Sequence, residues 1–276
     1  MQPVPATDPE TFAERVRIVL VGTQHPGNIG SAARALKTMG LRRLLLVAPE
    51  RFPDMAADAM AAGAGDVLAT AEVHETLAGA LADCRLVLGC SARSRRVALD
   101  ELPPRVAAAR LLATASTAPV ALVFGRERTG LTNDELQLCH ASVHIPANPD
   151  YSSLNLAAAV QVMTYELRLA LLAGGAAQPA ADGDAGARPS PNAVAVASAA
   201  DHAQLEGFFA QLGDTLDAID FHKGRSPDSA MRKLRRIFLR CDLDPRELRL
   251  LRGILADAQR MARLAGGATG AGGGVL

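Results

Sequence analysis

Apolar positions in the first 172 residues fall into two spacings. Short continuous runs stand at RIVLV (17–21), LLLV (44–47), RLVLGC (85–90), VALVF (120–124) and SVHI (142–145). Runs of this length, bounded by Gly, Pro or polar residues, read as strands buried on both faces. Between them lie stretches with helical spacing, near 30–38 (apolar at Ile29, Ala33, Leu36 and Met39), 56–62, 74–82, 103–113 and 132–139. Thr132 and Glu135 fit a capping box, which satisfies backbone donors at a helix start. Strands alternating with helices predict an α/β domain, a parallel sheet covered by helices on both faces.

A strongly apolar helix is expected over 155–172, and there the pattern changes. Residues 173–199 are Ala, Gly, Pro, Ser and Asp without periodicity and read as a flexible linker. Three more helices follow near 201–217, 227–240 and 245–263, forming a small all-α extension over 200–265. The last is announced by Asp244 as cap, Pro245 in the first turn and Glu247 closing the box. The Gly-rich end, 266–276, reads as a disordered tail. No internal repeat is visible.

Composition narrows the class. At 49% hydrophobic and 21% charged residues the profile is globular. Apolar runs stop short of the roughly 18 residues of a membrane span. The opening MQPVPATDPE holds acids and prolines, so neither a secretory signal nor a membrane partner is expected. Cys84, Cys90, Cys139 and Cys241 lack metal-ligand spacing and read as reduced core thiols of a cytoplasmic protein; no metal is expected. Lys plus Arg equals Asp plus Glu at 29 each. Taken globally, that argues against a nucleic-acid binder. Aromatics at 3%, with no Trp, weaken a reading based on stacking platforms.

Three polar, glycine-bearing loops follow strands, where open parallel sheets bind ligands. GTQHPGNIGSAAR (22–34) lacks the lysine of a phosphate loop and the spacing of a dinucleotide fingerprint. Its glycines can serve a helix-terminal anion site or only shape a turn. FGRERTGLT (124–132) flanks an acid with two arginines and, taken alone, is equally a solvated Glu–Arg turn. IPANPDYSSLNL (145–156) is stiffened by two prolines; Ser152 or Ser153 is the expected cap of the following helix.

Together the loops are more specific. NIGSAAR (28–34), FGRERTGL (124–131) and IPANPDYSSLN (145–155), in this order at successive strand ends, resemble the three signature motifs of the SPOUT-class 2′-O-ribose RNA methyltransferases, the TrmH/SpoU branch. CSARSRR (90–96) also resembles a loop of that family, and the likeness spans roughly residues 15–172. Residues 222–264, with MRKLRRIF and LRGILA, resemble the C-terminal extension of family members that methylate the ribose of tRNA anticodon-loop nucleotide thirty-two.

The resemblance implies a fold that patterning does not, a sheet whose C-terminal part is threaded into a deep trefoil knot. It implies S-adenosylmethionine (AdoMet) as methyl donor, tRNA as partner and a homodimer whose sites are completed across the interface. It assigns AdoMet contacts to Cys90, Ser91, Ala92, Gly125, Ile145, Ser152, Ser153 and Leu154. Cys90 stands where relatives often carry Thr, a change that a backbone contact tolerates. Arg34 becomes the key residue for the ribose hydroxyl, as general base or as phosphate anchor. Arginine is almost always a donor, which weighs on the first role. Asn28 orders the first loop or meets the nucleotide, and Glu127 orients Arg34 or Asn28, from its own or the other subunit. Ser153 and Asn155 bind substrate or shape the third loop. Neither His25 nor His140 is assigned a role.

Arg93, Arg95 and Arg96 follow the cofactor loop and suit RNA phosphates, as do Arg232, Lys233, Arg235, Arg236 and Arg240 on one C-terminal helix. The zero net charge is in fact a cancellation. Residues 222–264 hold twelve Lys or Arg against five acids, whereas 179–220 hold one against seven. Action on ribosomal RNA or another tRNA position is an alternative. So is a catalytically silent RNA-binding protein, which the intact Arg34, Glu127, Ser153 and Asn155 set disfavours. A dinucleotide-dependent enzyme is disfavoured by the missing fingerprint.

Overall fold

The structure is a computed structural model that describes residues 8–91, 99–174, 199–224 and 226–269. The chain forms two compact units, Met1–Pro191 and Asn192–Leu276. The first begins with α1 (Pro9–Arg15), β1 (Val16–Val21), α2 (Pro26–Thr38), β2 (Arg43–Val47), α3 (Met55–Ala61), α4 (Gly65–Ala69) and β3 (Glu72–His74). It continues with α5 (Leu77–Leu81), β4 (Leu86–Cys90), β5 (Glu101–Leu102), α6 (Pro104–Ala115), β6 (Val120–Phe124), α7 (Asn133–Gln137), β7 (Ala141–Val143) and α8 (Leu156–Leu172).

The strands form one seven-stranded sheet in the order β3-β2-β1-β6-β4-β7-β5, and every pairing is parallel. Side chains alternate across it with period two. Ile18, Leu20, Leu44, Leu46, Leu88 and Leu122 join the core beneath α2, α6 and α8. Val19, Val21, Leu45, Val87, Ala121 and Val123 join a second core with Leu77 and Leu81 of α5 and Leu136 of α7. Both faces are thus buried, which is why the strand sequences are continuously apolar.

The register sets the site. Leu20 pairs with Phe124, and Phe124 with Cys90, whose other neighbour is Val143. Four strands therefore end in line, and their following loops share one edge.

Some elements depart from the sequence reading. α1 was not expected, yet Asp8 caps it by accepting from the N–H groups of Glu10 and Thr11, with Pro9 in the first turn. α2 starts at Pro26, ahead of the expected Gly30. The single helix expected over 74–82 is instead the end of edge strand β3 and then α5, capped by Thr76, whose hydroxyl accepts from the Gly79 N–H. Too few residues lie in either element for a period to be read.

The second unit comprises α9 (His202–Ala218), α10 (Pro227–Leu239) and α11 (Pro245–Thr269). Leu205, Phe208, Phe209, Leu212, Leu239 and Leu248 form its core, with Phe208 and Phe238 edge to face at 4.9 Å. The expected box at α11 is formed: Asp244 accepts from the Arg246 and Glu247 N–H groups, and Glu247 accepts from that of Asp244. α11 runs beyond the expected end at 263. Residues 175–198, read as linker, and 270–276 of the tail lie outside the described residues. Among the described residues no helix is long and apolar enough to cross a membrane.

Candidate active site

The loops after β4, β6 and β7 enclose a cavity of about 330 Å3. Cys90 and Ser91 form one wall, Gly125 to Gly130 another, and Ile145, Asp150 to Leu154, Leu156 and Ala159 the third. The Ser91 N–H donates to the Val143 carbonyl at 2.9 Å, extending the β4–β7 ladder into the loop. Of the eight cofactor residues that the resemblance implies, seven line this cavity; Ala92 lies outside the described residues.

The loop after β6 is a tight hairpin. Arg126 and Gly130 exchange backbone hydrogen bonds of 3.2 and 2.8 Å. A Cβ on Gly125 would lie 2.1 Å from the Gly130 carbonyl carbon, so only glycine fits. The two charged residues that follow diverge. Arg126 donates to both carboxylate oxygens of Glu135, at 3.0 and 3.1 Å. Glu135 also accepts from the Thr132 N–H, completing the expected capping box of α7. The Glu–Arg turn read from the sequence is therefore not a pair of neighbours, since Arg126 pairs with Glu135.

Glu127 reaches the turn after β1. Its carboxylate accepts from the N–H groups of Gln24 (3.0 Å) and His25 (3.1 Å) and from Asn28 Nδ2 (2.8 Å). Partial burial acts to raise its pKa, but the bonds from Asn28, Gln24 and His25 outweigh burial and hold it below the usual carboxylate value. Asn155 Nδ2 in turn donates to Asn28 Oδ1 at 3.1 Å. An unbroken line, Asn155 to Asn28 to Glu127, thus ties the third loop to the first and second within one chain. Gly22 makes the turn possible with φ of +59°, and the Arg126 side chain lies against it.

Asn155 has a second task. Its Oδ1 accepts from the Ala157 and Ala158 N–H groups, making it the cap of α8. The serine cap is corrected accordingly: Ser152 and Ser153 line the cavity instead. Asn155 fits because its amide can accept from the helix and donate to Asn28 at once.

Arg34 is exposed on α2 and is not among the residues lining the cavity. It lies six steps along the helix from Asn28, a rotation of roughly 240° that sends the two side chains to different faces. Glu127 bonds Asn28 rather than Arg34. His140 holds β4 by accepting the Val87 N–H at its Nδ1. Burial pushes the Cys84, Cys90 and Cys139 thiols up to about 12. Cys241, read as a core thiol, is exposed.

Arg93, Arg95 and Arg96 lie outside the described residues. On α10, Arg232, Lys233 and Arg236 are exposed, as is Arg240, which caps its C-terminal end. Arg235 is not a surface cation, because it pairs with Glu206 and stacks 4.3 Å from the Phe209 ring centroid. α11 adds exposed Arg246, Arg249 and Arg263, which the sequence reading did not single out although they recur at helical spacing.

A parallel sheet with its signature loops gathered on one cavity defines the class of SpoU methylases, and residues 15–165 match the SpoU rRNA Methylase family. Residues 203–267 match a second family, the C-terminal domain of the tRNA methyltransferase TrmJ. The chain belongs to the SpoU family and, within it, to the TrmJ group. It is 49% identical over 247 residues to tRNA (cytidine/uridine-2'-O-)-methyltransferase TrmJ of Salmonella typhimurium, covering 90% of this chain and 97% of that one. The TrmJ of Klebsiella pneumoniae is 50% identical over 248 residues, with the same coverage. Among solved structures, TrmJ from Z. mobilis ZM4 superposes with a TM-score of 0.72 at 32% identity, over 87% of this chain and 97% of that one.

Proposed function

We propose that this protein transfers a methyl group from AdoMet to the ribose 2′-OH of a tRNA nucleotide, a cytidine or uridine at anticodon-loop position thirty-two. The carrying observation is the cavity at the β4, β6 and β7 ends with the Asn155–Asn28–Glu127 line beside it. The names borne by relatives at about half identity over nine-tenths of the chain support the substrate class.

The cavity suits AdoMet. Its volume lies in the small-molecule range of about 300–1,000 Å3. Phe124, Ile145, Leu154 and Leu156 give apolar walls, Ser91, Gly125 and Ser152 offer uncharged polar groups, and Glu127 and Asp150 suit a cation. When bound, AdoMet supplies a methyl group activated on a sulfonium. The chain supplies position, worth of order 7–11 kcal/mol in favourable cases. Asn28 and Asn155 each spend one amide hydrogen on the internal line and retain a second for the ribose. Ser153 shares that side. Arg34, exposed and without a carboxylate partner among the described residues, serves as anchor for the phosphate that orients the hydroxyl.

Arg34 stands off its own cavity, and this supports a homodimer in which it serves the partner's site. Val162, Tyr165 and Leu172 leave an exposed apolar stripe on α8 for such an interface. The family's trefoil threading accompanies this arrangement. Arg93, Arg95 and Arg96, with Arg232, Lys233, Arg236 and Arg240, carry tRNA phosphates. The enzyme acts in the cytoplasm, on soluble tRNA. Incubation with methyl-labelled AdoMet and a tRNA pool, followed by mass mapping, tests the reading. Label on the ribose of nucleotide thirty-two is expected; label on a base, or none, refutes it.

A further inference from the structure

Only two tyrosines occur in the chain and no tryptophan. Tyr151 is 80% exposed, although it lies on the rim of the cavity. A ring so exposed contributes little apolar burial, so packing of its own unit gives no reason for an aromatic there. Its attachment is nevertheless fixed. The Tyr151 N–H donates to the Asn148 carbonyl at 2.9 Å, and the Asp150 N–H to Asn148 Oδ1 at 3.1 Å. Pro146 and Pro149 stiffen the same turn. The next three residues, Ser152 to Leu154, line the cavity.

Charge decides what such a ring can meet. Asp150 precedes it and Glu127 lines the same cavity, so a phosphate would be repelled there, whereas Arg128 on the hairpin offers a cation for one. The uncharged face of a nucleobase has no such objection. We propose that Tyr151 is the stacking platform for the base of the nucleotide whose ribose is methylated. Stacking reads the face of a base and not its edge, so it accepts cytosine and uracil alike. The base is one glycosidic bond from the ribose, so holding it flat against Tyr151 also limits where the 2′-OH lies.

The inference rests on the 2′-O-methyl transfer reading. Its test uses the full chain with Tyr151→Ala, Tyr151→Leu and Tyr151→Phe, measuring methyl transfer to tRNA, AdoMet affinity and solution mass. A second tRNA lacks the base at the target nucleotide. Ala and Leu are expected to lower kcat/KM by about 5- to 100-fold, with Phe within about twofold of the parent. AdoMet affinity and mass stay unchanged. On the abasic tRNA the parent loses its advantage, so that removing ring and base together costs no more than removing either. Undiminished transfer by the Ala variant overturns the proposal, as does a Phe variant as poor as Ala. Lost AdoMet binding reassigns Tyr151 to the cofactor wall, and a halved mass reassigns it to a subunit interface; both overturn it. Failure of the parent to label any ribose instead removes the underlying reading.

Discussion

Replacing Glu127 by Ala removes the acceptor for three donors: the Gln24 and His25 N–H groups and Asn28 Nδ2. A hydrogen bond to a charged group is worth roughly 1.5–3 kcal/mol when its partner is sheltered. Asn28 is half-buried, whereas His25 is exposed and water can replace its bond at little cost. Gln24, Asn28 and Glu127 are themselves only partly buried, so solvent screening reduces the other two bonds to a total of about 2–3 kcal/mol, a fall in Tm of roughly 4–12 °C for a unit of this size. The larger effect falls on chemistry. Without Glu127 the Asn28 amide is free to turn, and Asn155 loses its fixed acceptor. A displacement of about 1 Å at the reacting groups can cost 10²-fold. Glu127→Ala is therefore expected to lower kcat about 10- to 100-fold while AdoMet affinity stays near the parent's. Glu127→Gln keeps one acceptor oxygen and falls between. Because the folded carboxyl is held below its ordinary value, its stabilisation is complete above that value and is lost as pH falls through the folded one. The Tm gap between parent and Ala variant should thus be full at neutral pH and narrow as acid takes the solution below the ordinary glutamate value. Calorimetry across pH and single-turnover methyl transfer give both readouts. A Glu127→Ala protein with parental Tm and parental kcat at neutral pH would refute the line of bonds as an organising element.

Gly125→Ala places a methyl 2.1 Å from the hairpin backbone and is expected to destabilise by at least about 1–3 kcal/mol, seen as a lower Tm and weaker AdoMet binding by calorimetry. Arg34→Ala should bind AdoMet normally and transfer methyl groups at least about 100-fold more slowly; an unchanged transfer rate would remove Arg34 from the reaction. Charge reversal at Arg232 and Arg236 should weaken tRNA binding and flatten its salt dependence by about 0.9 in log–log slope per lost phosphate contact, with AdoMet affinity intact. Arg235→Ala should act differently, since it breaks the Glu206 pair and the stack on Phe209; thermal unfolding should show the loss, and a variant weak only in tRNA binding would contradict that packing role.

Strands β1, β2, β4, β6 and β7 were legible because they cross the interior of a sheet buried on both faces, which demands an apolar run. Helices α8 to α11 were legible because they are long enough to show a period and α11 carries its cap in sequence. The short elements were not. β5 has two residues and β3 three, too few to show alternation. α1 was missed although Asp8-Pro9 is the same cap-and-proline signal that marked Asp244-Pro245. Within the site, residue types and order pointed to the cavity, but partner choice did not follow from adjacency. Sequence put Glu127 between two arginines, while the fold gives it to Asn28. It put two serines before a helix, while the cap falls to Asn155. The bonds of Asn28 to Glu127 and Asn155 join loops 99 and 127 residues apart in sequence, which no local pattern encodes. The Asn155 cap, by contrast, bonds only Ala157 and Ala158, and the serines were a competing local choice of the same kind.

Strand order explains why the hairpin after β6 carries so much. β6 lies between β1 and β4, so its loop has a neighbour on each side: the turn after β1 and the cavity wall after β4. Along that loop Gly125 faces the cavity, Arg126 lies against Gly22, and Glu127 binds Gln24, His25 and Asn28. Successive residues thus touch both the candidate cofactor side and the candidate substrate side. Anything that moves the hairpin must move both, because the Arg126–Gly130 bridge leaves it no slack and Gly125 admits no added atom. A loop at the sheet edge could hold one ligand. Only a loop from a central strand, flanked by two others ending in line, can hold two ligands in fixed relation. An in-line transfer between them requires that relation.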